Sequence, residues 1–165
     1  MKNNVLKIII LVIIDQLIKL IVFNTIGKTG ESITVLPNIL QLTYVENIGA
    51  AFGVLMTRIF LIGLNLLIIF VVIKLMVSKK YDFDDKAKLG LSLIVAGGIG
   101  NVIDRIFRGY VIDYIDISQL FNYPVFNFAD ICIVVGVILI MVIIIINTIK
   151  SQESINEKAW NNWNR

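Results

Sequence analysis

Residues 89–107 read LGLSLIVAGGIGNVIDRIF, an apolar stretch that becomes small and then polar in its second half. A bilayer core about 30 Å thick needs roughly 20 apolar residues per helix, so this stretch is predicted to span a membrane. Ionisable residues inside such a helix are costly, which makes Asn101, Asp104 and Arg105 candidates for function or for pairing. Small residues directly before them also favour close helix packing: Gly97, Gly98 and Gly100.

Three other apolar stretches of similar length accompany this one. Together they predict an all-α integral membrane protein with four transmembrane helices, at about 5–23, 59–77, 89–107 and 129–149. The four helices fill most of the chain, so residues 1–165 are predicted to form a single membrane-embedded domain. From Ser151 onward the chain reads as a polar tail.

The two longer connections, 24–58 and 108–128, hold most of the unusual polar residues. In the first, apolar and polar residues alternate from Leu40 to Val45 after a turn signal at Pro37 and Asn38. We expect a small antiparallel β-cradle there, lying against the membrane, because two or three strands are only marginally stable alone.

The composition excludes several classes of protein. Of 165 residues, 58% are hydrophobic and 16% charged, with a mean hydropathy of +0.87, which rules out a soluble enzyme. The chain has no His, so imidazole metal sites and Ser-His or Cys-His catalysis are excluded, and no metal or cofactor is expected. Cys132 is interpreted as a small buried hydrophobe.

Positive charge is distributed unevenly over the two faces of this topology. Lys and Arg residues predict that both termini and the central loop are cytoplasmic. Nine lie on that side, namely Lys2, Lys7, Lys79, Lys80, Lys86, Lys88, Lys150, Lys158 and Arg165. Four lie opposite, namely Lys28, Arg58, Arg105 and Arg108. We therefore interpret the charge of +3 as a topology signal and expect no nucleic-acid partner.

A charged pair interrupts the first helix. Asp15 and Lys19 are four residues apart, on one helix face, with the acid before the base as a favourable pair requires. The sequence leaves two roles open, a structural ion pair or a part in substrate contact or site support.

Three carboxylates are predicted to gather at one membrane interface: Asp113, Asp116 and Asp130. Asn127 is placed to cap the last helix, with Asp130 in its first turn, where the helix dipole favours negative charge. Two carboxylates brought close share one proton, so one can activate water while the other protonates an amide. This is the chemistry of an aspartic protease.

Other classes fit the same residues. Intramembrane carboxylates also mark small ion- or proton-coupled transporters. An intramembrane protease of the presenilin kind would carry a Gly-x-Gly-Asp element, where residues 98–101 read GIGN. A structural or holin-like membrane protein would use the aspartates for assembly.

Five short elements, in this order, are similar to those of one known family. They are DQLIK at 15–19, ENIGAAFG at 46–53, GGIGNVIDR at 97–105, GYVIDY at 109–114 and FNFAD at 126–130. On these elements the chain resembles the bacterial lipoprotein signal peptidases, signal peptidase II. Tyr114 stands where that family often has Phe.

The resemblance implies an aspartyl endopeptidase of the bacterial cytoplasmic membrane, with its active site near the outer leaflet. Its partners would be membrane lipids and diacylglyceryl-modified prolipoproteins, which it would cut on the N-terminal side of the lipidated cysteine. The protein is expected to be a monomer. The catalytic dyad maps onto Asp113 and Asp130, ahead of Asp104 and Asp116.

The same resemblance assigns ten further residues to substrate contact or site support. Asn47 and Arg105 are the expected peptide contacts, since amide and guanidinium groups donate to peptide carbonyls. Gly49 and Gly97 would allow close approach. The full set is Asp15, Lys19, Asn47, Gly49, Gly97, Asn101, Asp104, Arg105, Asn127 and Ala129.

Overall fold

The computed structural model describes residues 2–51, 54, 55, 57–78 and 83–163. Phe52 and Gly53 of the predicted ENIGAAFG element lie outside these residues, as do Lys79, Lys80 and Arg165 of the predicted cytoplasmic charges. Long helices dominate the fold, in the order α1 (Lys2–Asn24), the short α2 (Ile26–Thr29), α3 (Arg58–Val77), α4 (Asp85–Phe107) and α5 (Phe128–Trp163).

Three helices among the described residues are long and apolar enough to cross a membrane, α3, α4 and α5. Helix α1 has 23 residues but carries Lys7, Asp15 and Lys19 along its apolar length. The protein is therefore a mostly helical membrane protein, and a fourth span through α1 stays a prediction.

Helix α5 continues well past the predicted span. It runs for 36 residues, about 54 Å at 1.5 Å per residue, and ends at Trp163. Residues 151–163, interpreted from sequence as part of a polar tail, are thus helical, and their described side chains are exposed. Hydrophobic periodicity failed to detect this extension because its described side chains are exposed and carry no apolar stripe selected for a core.

A three-stranded antiparallel sheet lies at one end of the bundle. Its strands are ordered β1 (Ile33–Leu36), β2 (Leu40–Asn47) and β5 (Val111–Asp116). Two residue pairs, β3 (Ala50–Ala51) and β4 (Val54–Leu55), form a separate hairpin. The small sheet predicted from 24–58 is confirmed, but its third strand comes from 108–128.

Helix α4 is the centre of the bundle and packs against α1, α3 and α5. Its glycines make this possible: a Cβ atom on Gly97 would overlap the backbone carbonyl of Ala129, and one on Gly100 would overlap the Asp15 carboxylate. On α5, a Cβ atom on Gly136 would lie 2.6 Å from the Gly90 carbonyl oxygen. This close approach brings α1, the start of α5 and the end of α4 together.

Candidate active site

The N-terminus of α5 carries the first carboxylate of the site. Asn127 caps this helix, because its Oδ1 accepts from the Asp130 backbone N–H at 3.0 Å. In return Asp130 Oδ2 accepts from the Asn127 backbone N–H at 3.2 Å. This reciprocal capping confirms the predicted cap and fixes the carboxylate in the first turn, at the positive end of the helix dipole.

The second carboxylate is that of Asp113, on β5. It is only 2% exposed and accepts from two amides, Asn47 Nδ2 at 2.8 Å and Asn127 Nδ2 at 2.6 Å. Burial raises the pKa of Asp113 to about 6, and the negative charge of Asp130 acts in the same direction. The hydrogen bonds from the Asn47 and Asn127 amides oppose this effect, because they stabilise the charged carboxylate. Asp113 therefore retains its proton to higher pH than an ordinary aspartic acid does.

Two buried amides connect the carboxylates. Asn101 Nδ2 donates to Asp130 Oδ1 at 2.8 Å, and Asn127 Nδ2 donates to Asn101 Oδ1 at 3.3 Å as well as to Asp113. An unbroken chain of side-chain hydrogen bonds thus runs from Asp113 through Asn127 and Asn101 to Asp130. Helices α4 and α5 and strand β5 each supply part of it.

An ionic cluster lies beneath these amides. Lys19 Nζ is 2.9 Å from Asp15 and 2.9 Å from Asp104, and it donates to Asn101 Oδ1 at 3.1 Å. Asp15, Lys19 and Asp104 are each at most 1% exposed. Arg108 pairs with Asp104 from the same helix. The cluster is electrically balanced and is joined to the site through Asn101.

Sequence reasoning missed two members of this cluster, Gln16 and Arg108. Gln16 donates to Asp15, to Asp104 and to the Gly100 carbonyl oxygen, and accepts from Arg108 at 3.2 Å. The available signal was the i,i+3 spacing of Gln16 and Lys19, which places both on one face of α1.

The remaining predicted residues occupy the edges of the site. Gly49 has a φ of 100°, and its N–H donates to Asn47 Oδ1 at 2.8 Å, which orients the Asn47 amide toward Asp113. Arg105 is half-buried and donates one long bond, 3.4 Å, to the Asn101 carbonyl oxygen. The Ala129 N–H donates to Asp15 Oδ1 at 3.1 Å, while Gly97 packs against Ala129.

Asp116, at the far end of β5, lies in a different setting. It accepts from Gln41 and from the Ser118 backbone N–H, both at 2.8 Å. Hydrogen bonds from Ser118 and Gln41 hold the pKa of Asp116 below its ordinary value. The structure therefore separates this carboxylate from the Asp113–Asp130 group.

Two cavities flank the paired carboxylates. One, of about 270 Å³, is almost entirely apolar and includes Phe121, Phe126, Asp130 and Val134 in its lining. The other, of about 280 Å³, lies along β2 and includes Asn47 and Asp113. Among the described residues, no group of three or more Cys, Asp or Glu side chains is arranged to hold a metal ion.

Taken together, these features define a class: a membrane protein of several apolar helices with a buried and a half-buried carboxylate, Asp113 and Asp130, joined by amides beside an apolar cavity. A family model described as "Signal peptidase (SPase) II" matches residues 7–146. The chain belongs to the signal peptidase II family, and is thus a hydrolase of the protease class. Membership favours the peptidase among the classes that the sequence left open.

Similar proteins agree with this assignment. A lipoprotein signal peptidase of Clostridium acetobutylicum is 36% identical, over 87% of this chain and 94% of that protein. One of Clostridioides difficile is 39% identical, over 90% and 98%. A solved structure described as a bacterial membrane enzyme superposes with a TM-score of 0.79 at 31% identity, covering 90% of each chain.

Proposed function

We propose that the protein is an aspartyl endopeptidase that removes signal peptides from diacylglyceryl-modified prolipoproteins. The cut falls on the N-terminal side of the lipidated cysteine. Family membership and the names of the relatives support the substrate class. The observation that carries the aspartyl mechanism is the amide chain that joins Asp113 to Asp130.

The two carboxyl groups have complementary settings for this reaction. Asp113 is nearly inaccessible and its pKa is raised to about 6. Asp130 lies at a helix N-terminus, where partial positive charge stabilises an anion. We assign the shared proton to Asp113 and the negative charge to Asp130.

The reaction follows from this assignment. Asp130 removes a proton from water, and the resulting hydroxide oxygen bonds to the scissile carbonyl carbon. Asp113 gives its proton to the carbonyl oxygen, producing a neutral tetrahedral intermediate. When the C–N bond breaks, the nitrogen takes the proton held by Asp130, and Asp113 recovers its proton from the collapsing hydroxyl. Both carboxyl groups return to their starting state, and no cofactor is consumed.

Substrate contacts fit residues at the rim of the site. Asn47 uses one of its two amide hydrogens on Asp113, so the second is available to a peptide carbonyl. Among contacts with the described residues, Arg105 has one long hydrogen bond, which leaves guanidinium N–H groups for the substrate. The apolar cavity beside Asp130 suits acyl chains or apolar signal-peptide side chains.

The proposed topology has α1 as the fourth span. Its charges at Asp15 and Lys19 are paired and turned toward α4. Most of its exposed surface between Val5 and Ile21 is apolar, as lipid contact requires: Val5, Leu6, Ile9, Ile10, Ile13, Leu17, Leu20 and Ile21. Both termini are then cytoplasmic, the sheet and both aspartates lie near the outer leaflet, and the protein acts as a monomer.

The test uses purified protein in detergent and a prolipoprotein with or without its diacylglyceryl group, with cleavage followed by gel shift. Asp113→Asn and Asp130→Asn should each abolish cleavage of the lipidated substrate. Asp116→Asn is the matched control, because it removes a carboxylate from the same strand outside the amide chain. Cleavage by either dyad variant at a rate near that of the wild type would disprove the mechanism.

A further inference from the structure

The first turn of α5 is held by side chains from three different parts of the fold. The backbone N–H groups at the start of a helix have no partner within the helix. Here Phe128 N–H donates to the Tyr114 hydroxyl at 3.2 Å, and Ala129 N–H donates to Asp15 Oδ1 at 3.1 Å. Asp130 N–H donates to the Asn127 cap. The position of the Asp130 carboxylate is therefore fixed by β5 and α1 as well as by its own helix.

Tyr114 occupies a special place among these partners. It directly follows Asp113 in β5, and its hydroxyl contacts the residue two positions before Asp130. The backbone reinforces the connection, because the N–H groups of Tyr114 and Ile115 both donate to the Phe126 carbonyl oxygen, at 3.0 and 2.8 Å. One residue thus connects the strand of the first carboxyl group to the helix of the second.

The surroundings of Tyr114 keep its hydroxyl in place. The residue is only 4% exposed and packs with Val22 and Ile112 in an apolar cluster. Burial raises the pKa of the Tyr114 hydroxyl above its ordinary value, so the group stays neutral and accepts from the Phe128 N–H. A ring packed on all sides cannot turn the hydroxyl away without disturbing this cluster.

We propose that Tyr114 is a positioning residue for the peptidase reaction. Its hydroxyl holds the first turn of α5 against β5 and so sets the separation of the Asp113 and Asp130 carboxyl groups. This role rests on the proposed function, and Tyr114 itself touches neither substrate nor reacting atoms.

Removing the hydroxyl has two expected effects. In Tyr114→Phe the Phe128 N–H loses its acceptor, so the first turn of α5 loosens. A misplacement of about 1 Å can lower a reaction rate about 100-fold. For this smaller displacement we expect kcat to fall about tenfold with KM unchanged. A wider separation also weakens the influence of Asp130 on Asp113. The pKa of Asp113 then falls, and the high-pH decline of activity moves to lower pH.

The experiment compares Tyr114→Phe with Tyr44→Phe in lipid nanodiscs. Tyr44 is the matched control because its hydroxyl hydrogen-bonds to Glu46 on β2 and to Tyr110 just before β5, and among the described residues no hydrogen bond joins it to α5. Cleavage of a lipidated prolipoprotein gives kcat, KM and the pH profile. Hydrogen exchange of residues 128–130 reads the contact directly, and slow exchange of the Phe128 amide is expected in the wild type.

The outcomes separate the two proposals. A kcat for Tyr114→Phe within twofold of wild type, or an equal loss in both variants, overturns the positioning role. Rapid exchange of the Phe128 amide in the wild type also overturns it, a result that stands even if the variant does not fold. Absence of cleavage by the wild type with a protected Phe128 amide overturns the proposed function while leaving the structural contact intact.

Discussion

Lys19 on α1 lies 2.9 Å from Asp104 on α4, and both side chains are completely buried. The ammonium group also contacts Asp15 at 2.9 Å, so one positive charge serves two carboxylates. Arg108 supplies the second positive charge, to Asp104. Because Lys19 also donates to Asn101, the cluster stabilises the bundle and orients an amide that contacts Asp130.

Replacing Lys19 by Met should strongly destabilise the protein. The variant leaves Asp15 without its cation in a buried site, and breaking a buried pair costs about 3–5 kcal/mol. Denaturant unfolding in detergent, followed by circular dichroism, measures the loss in free energy of unfolding. Lys28→Met is the control, since Lys28 is exposed on α2. Equal stability of the two variants would show that the cluster contributes little.

The pH dependence of cleavage should reflect Asp113. If its carboxyl holds the shared proton, activity requires the protonated form, which is lost as pH rises through its pKa of about 6. We therefore expect kcat/KM, which reports the free enzyme, to fall as pH rises through about 6. A profile that is flat from pH 5 to pH 8 would contradict this assignment.

Asn47→Ala should move that decline to higher pH. The Asn47 amide donates to Asp113 at 2.8 Å and so favours its charged form. Without this hydrogen bond the pKa of Asp113 rises, and the protonated form persists to higher pH. Gln41→Ala is the matched control, because the Gln41 amide bonds to Asp116 instead. A shift in the opposite direction would show that Asn47 does not act on Asp113 in solution.

Gly97→Ala should reduce both stability and activity. The added Cβ would overlap the Ala129 carbonyl, so α5 must move away from α4, and overpacking of this kind typically costs about 1–3 kcal/mol. The same displacement shifts Asp130. The control is Gly63→Ala on α3, where a Cβ atom would meet no described atom within 4 Å. This variant should leave thermal stability and cleavage unchanged. Equal melting temperatures for the two variants would argue against the tight α4–α5 contact.

Much of the fold follows from the sequence because hydropathy and periodicity are local. The apolar stretches at 59–77, 89–107 and 129–149 became α3, α4 and α5, and the cap at Asn127 follows from residue type and spacing. Pairing across the chain is not local. No local pattern therefore indicated that residues 111–116 would join β2, or that α5 would extend to Trp163.

In the candidate site, too, the residues could be found from local sequence but their partners could not. Each of its polar residues stands out in an apolar chain, because burying it is costly. Which partner each one finds depends on how closely the helices approach, and this explains why Gln16 and Arg108 were overlooked. The roles of Asp113, Asp130 and the residues around them in catalysis stay predictions that the variants above will test.

The spacing of Lys19 and Asp104 along the chain also matters during synthesis. The two residues are 85 positions apart, so at about 5–20 residues per second the ribosome delivers Asp104 roughly 4 to 17 s after Lys19. Asp15, one helical turn away, is present from the start. If α1 is the fourth span, the pair within α1 enters the bilayer as a neutral unit and later exchanges part of its bonding for Asp104 and Asn101. The Asp15–Lys19 contact would then keep the charges of α1 paired until the later helices are in place.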